Sequence, residues 1–253
     1  MRETASLTTT APAPADTTTT TAVETLTILV TNDDGIGAPG IDAVVNALQA
    51  VDDVEIAIVA PAENQSGSSD TTTGGPVTRA PGVTASGVEG TAVSGFPADA
   101  VNVALDELGI EPDVVVSGVN EGQIIANLAP ISGTLGAART AIRRGVPAVA
   151  DGAGFGDLAD YDAGATLIVE WIAEHRAVLA GGSADTTTVT SLNVPGGEAG
   201  EPKGLVPLAA VIPEGINAFA TPDCDVAVAN PPTNDVEALV GGYLAVSQVP
   251  ADF

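Results

Sequence analysis

At 253 residues the chain is long enough for one large α/β domain with extensions, and its 45% hydrophobic but only 3% aromatic residues call for a core of Val, Leu, Ile and Ala. Against 33 acidic residues stand 7 basic ones, a formal net charge of −26, which repels nucleic-acid backbones and argues against binding to DNA or RNA. Cys224 and His175 are each the only residue of their kind, so an intrachain disulfide, a thiolate cluster and a His-rich zinc site are excluded, and the chemistry must run on oxygen ligands.

Residues 1–24 are almost entirely Thr, Ala and Pro with a few acids, a composition that cannot offset the entropy of ordering, and we expect a disordered tail there. Met1–Ser6 has no apolar stretch of the kind a signal peptide needs. No window approaches the roughly 18 consecutive apolar residues of a membrane span.

From residue 25 the pattern changes to that of a folded domain, expected over 25–253. Leu26–Thr31 reads as a buried strand ended by the turn Asn32-Asp33-Asp34-Gly35, and Gly40–Leu48 has helical spacing through Ile41, Val44, Val45 and Leu48. Val54–Ala60 is a second strand stopped by Pro61, followed by a polar loop over Ala62–Pro76. Thr91–Val93 is a short strand, and Pro97–Leu108 a helix with proline in its first turn. Asp113–Ser117 is a buried strand ending in Gly118-Val119-Asn120, Thr134–Arg144 a helix closed by Gly145, and Pro147–Ala150 a strand. Val169–Arg176 reads as amphipathic helix carrying His175. Further strands are expected near Thr187–Leu192 and Leu205–Ile212, then a helix and a strand ending near Tyr243–Val249. Strand and helix alternate with short connections, which predicts an α/β fold: a mostly parallel sheet with helices on both faces.

Ligands of such sheets bind outside the carboxyl ends of the strands. Three apolar strands here end in polar loops that carry Asp33 and Asp34, Ser66, and Asn120. Two carboxylates, a hydroxyl and an amide oxygen are hard ligands, suited to Mg²⁺, Mn²⁺ or Ca²⁺. Taken singly, each of these residues also fits an ordinary turn. What favours a metal is that adjacent carboxylates at a strand mouth repel one another unless something positive is bound. Ser132-Gly133-Thr134 opens a helix, where N–H groups and a partial positive charge attract an anion; plain N-capping by Ser132 fits equally well. Arg139, Arg143 and Arg144 lie on the same helix, toward its end, where cations complement the helix dipole, and read as structural. A rival motif is Gly35-Ile36-Gly37-Ala38-Pro39-Gly40, a G-x-G-x-x-G between strand and helix with Glu63 beyond, which would fit a dinucleotide-binding oxidoreductase. Asp33 and Asp34 would then stand beside the pyrophosphate and repel it.

The ordered set Thr31–Gly35, Ala38–Ile41, Val59–Pro61, Asn64–Gly67, Gly95–Asp99, Val116–Asn120, Ile131–Thr134, Gly145–Ala148, Asn193–Pro195 and Gly242-Tyr243 resembles the SurE family of nucleotidases over roughly residues 25–250. The resemblance implies a Rossmann-like three-layer fold with a small C-terminal β-rich extension. It also implies hydrolysis of nucleoside 5′- or 3′-monophosphates, one divalent cation per subunit, and a homodimer or homotetramer. By the same resemblance Asp33, Asp34, Ser66 and Asn120 are the metal ligands, Asp33 and Asp34 the catalytic pair, and Asn64, Ser132, Gly133 and Thr134 the substrate contacts. The family default places the protein in the cytoplasm; a stalk-like tail behind a missing upstream signal would instead place it outside or at the cell surface. Departures stand out. Ile124 and Ala126 replace an Asn and a Gly in the substrate loop, which implies weakened turnover or a metal- or nucleotide-binding module without catalysis. Phe96 replaces a Thr, expected to reshape the pocket, and the C-terminal arm that carries the family's oligomer contacts reads as shortened.

Overall fold

The computed structural model describes residues 24–155, 159–196, 200, 202–209, 217, 219–228 and 230–252. Residues 1–23 of the Thr/Ala/Pro-rich tail and residues 210–212 of the expected strand lie outside these. Strand β1 (Leu26–Thr31) leads through helix α1 (Pro39–Leu48) to β2 (Val54–Pro61). Strands β3 (Arg79–Val83) and β4 (Glu89–Val93) form a hairpin before α2 (Pro97–Asn102). Next come β5 (Val114–Glu121), α3 (Gly133–Arg143), β6 (Ala148–Ala153), α4 (Tyr161–Ala180) and β7 (Thr188–Val194). The last elements are β8 (Leu205–Ala209), α5 (Asp235–Val240) and β9 (Leu244–Pro250).

Among the described residues, nine strands join one sheet in the order β3-β4-β2-β1-β5-β6-β7-β9-β8. It is parallel except where β3 meets β4 and β7 meets β9. The expected C-terminal β-rich extension is β8 and β9, which continue the main sheet at its far edge. Each outer strand carries a proline, Pro81 in β3 and Pro207 in β8, the position in a sheet that tolerates a missing N–H.

Side chains alternate along the central strands and build two cores. Ile28 and Val30 of β1 and Val114 and Val116 of β5 face α1 and α4, whose Ile41, Val44, Val45, Leu48, Ile168 and Ile172 cover them. Leu29 and Val115 point the other way, against Val101 of α2 and Leu135, Ala138 and Ile142 of α3. Helices therefore cover both faces, the three-layer arrangement read from the alternation of elements. Helix α1 begins with proline and buries positions 41, 44, 45 and 48, one stripe at helical spacing.

Several boundaries differ from the sequence reading. The helix expected over Pro97–Leu108 is α-helical only to Asn102 and π-helical over Val103–Glu107, where the wider turn keeps Val103 and Ala104 buried. Strand β3 was not expected, because Arg79-Ala-Pro-Gly-Val carries two strand breakers and is almost wholly exposed, as an edge strand can be. Strand β5 runs past Ser117 to Glu121, with a register shift against β6 between Ser117 and Asn120. Among the described residues no helix is long and apolar enough to cross a membrane.

Candidate metal and phosphate site

In the strand order, the chain leaves β1 toward β2 on one side and returns to β5 on the other, so the carboxyl ends of β1 and β5 flank the topological switch point. Asn32, Asp33 and Asp34 follow β1 directly, and Asn120 and Glu121 end β5. The loop after β2 supplies Asn64 and Ser66, and is tied down by the Gln65 N–H on the Asp33 carbonyl at 2.6 Å.

Asp34 is the hub. Its Oδ1 accepts from Asn64 Nδ2 at 2.9 Å and from Ser66 Oγ at 3.2 Å, and its Oδ2 accepts from the Glu121 N–H at 2.9 Å. Burial raises its pKa above the ordinary carboxylate value and the Glu121 charge adds to this, while the three hydrogen bonds pull it down. Asp33 is buried and accepts from Thr134 Oγ1 at 2.6 Å. Burial first, and the charge of Asp34 second, push its pKa up to about 6. Among the described residues neither carboxylate has an Arg or Lys partner. The Asn120 amide nitrogen donates to the Gly122 carbonyl at 2.8 Å, so its Oδ1 is the atom with acceptor capacity for a cation.

Asp33, Ser66, Asn120 and Ser132 line one cleft of about 320 Å³. Asp34 and Asn64 line a neighbouring one of about 360 Å³ with Glu121 and Tyr161, so Glu121 borders both. The donor set fits a hard divalent cation: two carboxylates, one hydroxyl and one amide oxygen, with a charge surplus that no described cation neutralises. Among the described residues no three His, Cys, Asp or Glu gather in a metal-binding group, and the neutral Ser66 and Asn120 oxygens are what would complete a shell here.

The second element is the start of α3. Ser132 Oγ caps the helix by accepting the Leu135 N–H at 3.2 Å, so the capping reading holds while the residue also lines the cleft. Gly133 lies hard against Asp33, with room for no side chain: a Cβ there would stand 2.7 Å from that of Asp33. Thr134 turns to Asp33 rather than outward. The arginines of α3 and its C-cap Arg144 make structural contacts, as read. Arg139 donates to Ser69 Oγ at 3.1 Å, and Ser69 Oγ in turn to the Pro130 carbonyl at 2.7 Å. Arg143 binds Asp70 at 2.7 Å and the Ala251 carbonyl at 2.6 Å, and Arg144 binds Asp106. The Ser66 loop is thereby strapped to the segment that opens α3.

Of the glycines in the motif, Gly35 serves a turn at φ +102° and Gly40 serves packing, while Gly37 has open space around it. Gly40 of α1 touches the Val119 carbonyl of β5, where any Cβ would collide, and Asp34 borders the cleft beside Gly35 and Gly37 that a pyrophosphate would need. His175 sits elsewhere, on α4, with Nδ1 on the Trp171 carbonyl at 2.8 Å and its ring stacked on Trp171. Phe96, expected to reshape the pocket, does not line the cleft; it precedes α2, and its N–H binds Asp99 Oδ2 at 2.9 Å. Ile124 and Ala126 are buried, the Ile124 N–H donates to Asn193 Oδ1 at 2.7 Å, and Ala126 holds φ +49°. The sequence reading missed Glu121, Gln123, Phe155 and Phe219 in the cleft wall. Applied to β6, the strand-end rule would have flagged Phe155, two residues beyond Ala153; nothing in the sequence marks Phe219.

Fold and site together define a class: a doubly wound α/β protein holding hard oxygen donors and a helix N-terminus at the switch point of its sheet. A family model described as "Survival protein SurE" matches residues 28–212. A protein named 5′-nucleotidase SurE 1 from Burkholderia lata is 37% identical over 182 residues, 70% of this chain and 67% of that protein. The 5′-nucleotidase SurE of Halobacterium salinarum is 49% identical over 127 residues, covering 49% of this chain and 45% of its own length. That of Methanopyrus kandleri is 43% identical over 124 residues, 49% of this chain and 47% of that protein. The matched segment thus spans about half the length of these last two relatives. In fold, the crystal structure of the SurE protein from Aquifex aeolicus superimposes with a TM-score of 0.70 over 90% of this chain and 94% of that one, at 24% identity. The chain belongs to the SurE family.

Proposed function

We propose that residues 25–253 form a divalent-metal-dependent phosphomonoesterase that hydrolyses nucleoside 5′- or 3′-monophosphates to nucleoside and phosphate. The observation that carries it is the Asp33–Asp34 pair: two neighbouring carboxylates, both raised in pKa by burial and without a described cation, Asp34 bonded to Ser66 and Asp33 lining one cleft with Ser66 and Asn120. Asp33, Asp34, Ser66 and Asn120 would hold Mg²⁺ or Mn²⁺, with Ca²⁺ as a further fit. When bound, the cation polarises the phosphoryl group and lowers the pKa of a coordinated water.

The chain's own residues do the rest. Asp33, buried and steadied by Thr134 Oγ1, stands beside the cation it would help to hold, the position from which to orient the attacking water and take its proton. Asn64 and the Glu121 N–H hold Asp34 in place. Ser132 and the amino end of α3, with Gly133 at Asp33's side, face the phosphate with N–H groups and dipole. The relatives named 5′-nucleotidase SurE support the substrate class. We take the working form to be a homodimer or homotetramer, and the compartment to be the cytoplasm unless the Thr/Pro-rich tail follows an export signal.

A second reading is a metal- or nucleotide-binding module with weakened catalysis, favoured by the buried apolar Ile124 and Ile125 and the backbone conformation of Ala126. One experiment separates them: phosphate release from nucleoside monophosphates by the purified chain, with Mg²⁺, Mn²⁺ or EDTA, beside calorimetric metal titration of chelator-stripped protein. We expect metal-dependent release, and loss of at least about a hundredfold on Asp34→Ala with unfolding still cooperative. Metal uptake without release would favour the module; unchanged turnover in Asp34→Ala would refute the site.

A further inference from the structure

Part of the lining of the cleft that holds Asp33 is apolar and exposed. Phe155 and Phe219 stack there with ring centroids 5.5 Å apart and planes 27° from parallel. They remain 38% and 60% exposed, and Ile131, which also lines the cleft, 51%. A pair that only sheltered itself would be covered; this one keeps exposed ring surface in a cleft that Asp33, Ser66 and Asn120 also line. The chain has four Phe in all, so finding two at one cleft mouth is not a matter of abundance. Phe155 is seated on Gly122, where a side chain would collide with the ring, and the Gly122 carbonyl holds the Asn120 amide. The ring is thus mounted on the same turn that aims a candidate metal ligand. No Lys or Arg lines the cleft among the described residues, so nothing there selects a substrate's far end by positive charge.

We propose that Phe155 and Phe219 form a stacking surface for the flat base of a substrate whose phosphate lies at Ser132 and Asp33, which makes the site selective for aromatic over aliphatic phosphomonoesters. This rests on the phosphomonoesterase reading and adds the residues that choose the substrate. Flat rings offer large contact area at low entropy cost, and a base stacked on them is held without sequence-like discrimination among bases. Purine and pyrimidine monophosphates should therefore be accepted alike, and esters lacking a ring should bind weakly.

The test uses the full chain with Mn²⁺, comparing kcat/KM for adenosine 5′-monophosphate with that for glycerol 3-phosphate. In Phe219→Ala the ratio of the two should fall about tenfold, carried by KM for the nucleotide, and Phe219→Tyr should restore it. Phe219 is exposed enough that its loss leaves the core intact; Phe155→Leu serves as the second variant and should lower the ratio in the same direction. An unchanged ratio in Phe219→Ala overturns the proposal. If the wild-type chain releases phosphate from neither ester with any metal, the parent reading has failed, and calorimetric uptake of adenosine decides the stacking surface separately. Uptake lost in Phe219→Ala supports it; no uptake by the wild type, or equal uptake by the variant, overturns it.

Discussion

Asp151 lies on β6 with both carboxyl oxygens buried and neither hydrogen-bonded among the described residues. Burial pushes its pKa up to about 8. Its folded value stands above the ordinary 3.8, so the folded chain keeps a proton that the unfolded chain gives up. The contribution is therefore full below about pH 4 and is lost as pH rises toward about 8. Asp151→Asn, which cannot ionise, should flatten the fall of unfolding free energy between pH 5 and pH 8, read by urea denaturation in EDTA; a profile with wild-type slope would show that Asp151 does not titrate as described. Such a residue is invisible to sequence reading. In Ala148–Ala153 it looks like a turn-forming acid just past an apolar strand, and only the helix packed over it, with Gly164 of α4 against its Oδ2, reveals the burial. Asp33 and Asp34 were legible because they follow a six-residue apolar strand directly, so one rule about strand ends placed them.

Between residues and fold stand the short segments that shape the site. Ala126 opens the 3₁₀ turn Ala126–Ile131 at φ +49°, a conformation that costs an L side chain roughly 1–2 kcal/mol. Glycine there would relieve that cost while losing a buried methyl, worth roughly 0.8 kcal/mol, and gaining unfolded-state freedom, roughly 0.5–1 kcal/mol. Ala126→Gly should thus leave stability within about 1 kcal/mol of wild type. Ala138→Gly, inside α3 and equally buried, has no strain to relieve and should lose about 1–2 kcal/mol. Equal losses in the two variants, measured by urea unfolding, would remove strain at Ala126 from the account. The same scale marks the limit of what the sequence reveals about elements. Regular α and β segments with buried stripes, such as α1 and β1, were legible to within a residue. The π-helical stretch after α2 and the edge strand β3 were not, because one is a backbone choice with no residue signature and the other owes its conformation to its partner β4.

For the whole molecule, charge sets the expectation. A net charge of −26 on 253 residues repels itself, and the described ion pairs do little against it. Arg79–Glu107, Arg143–Asp70 and Arg144–Asp106 are all partly or largely exposed, and pairs of that kind contribute about 0–1 kcal/mol each. Raising NaCl from about 0.1 M to about 1 M shortens the screening length from about 10 Å to about 3 Å. Repulsion should lose more than the pairs do, and Tm should rise by about 5 °C. A Tm that falls with salt would mean that the ion pairs outweigh the surplus. That the fold class was readable at all follows from the same economy of signals: aliphatic strands and helices alternating at short spacing admit few topologies. Which strands lie at the margins was not readable, because that depends on pairings far apart in the chain.

Those margins have a consequence for how copies of the chain meet. With Pro81 on one rim of the nine-stranded sheet and Pro207 on the other, neither rim offers an unbroken ladder for a foreign strand to zip onto. Growth by adding sheet to sheet is discouraged at both described edges, which turns contact between copies toward the helical faces and the loops, flank to flank.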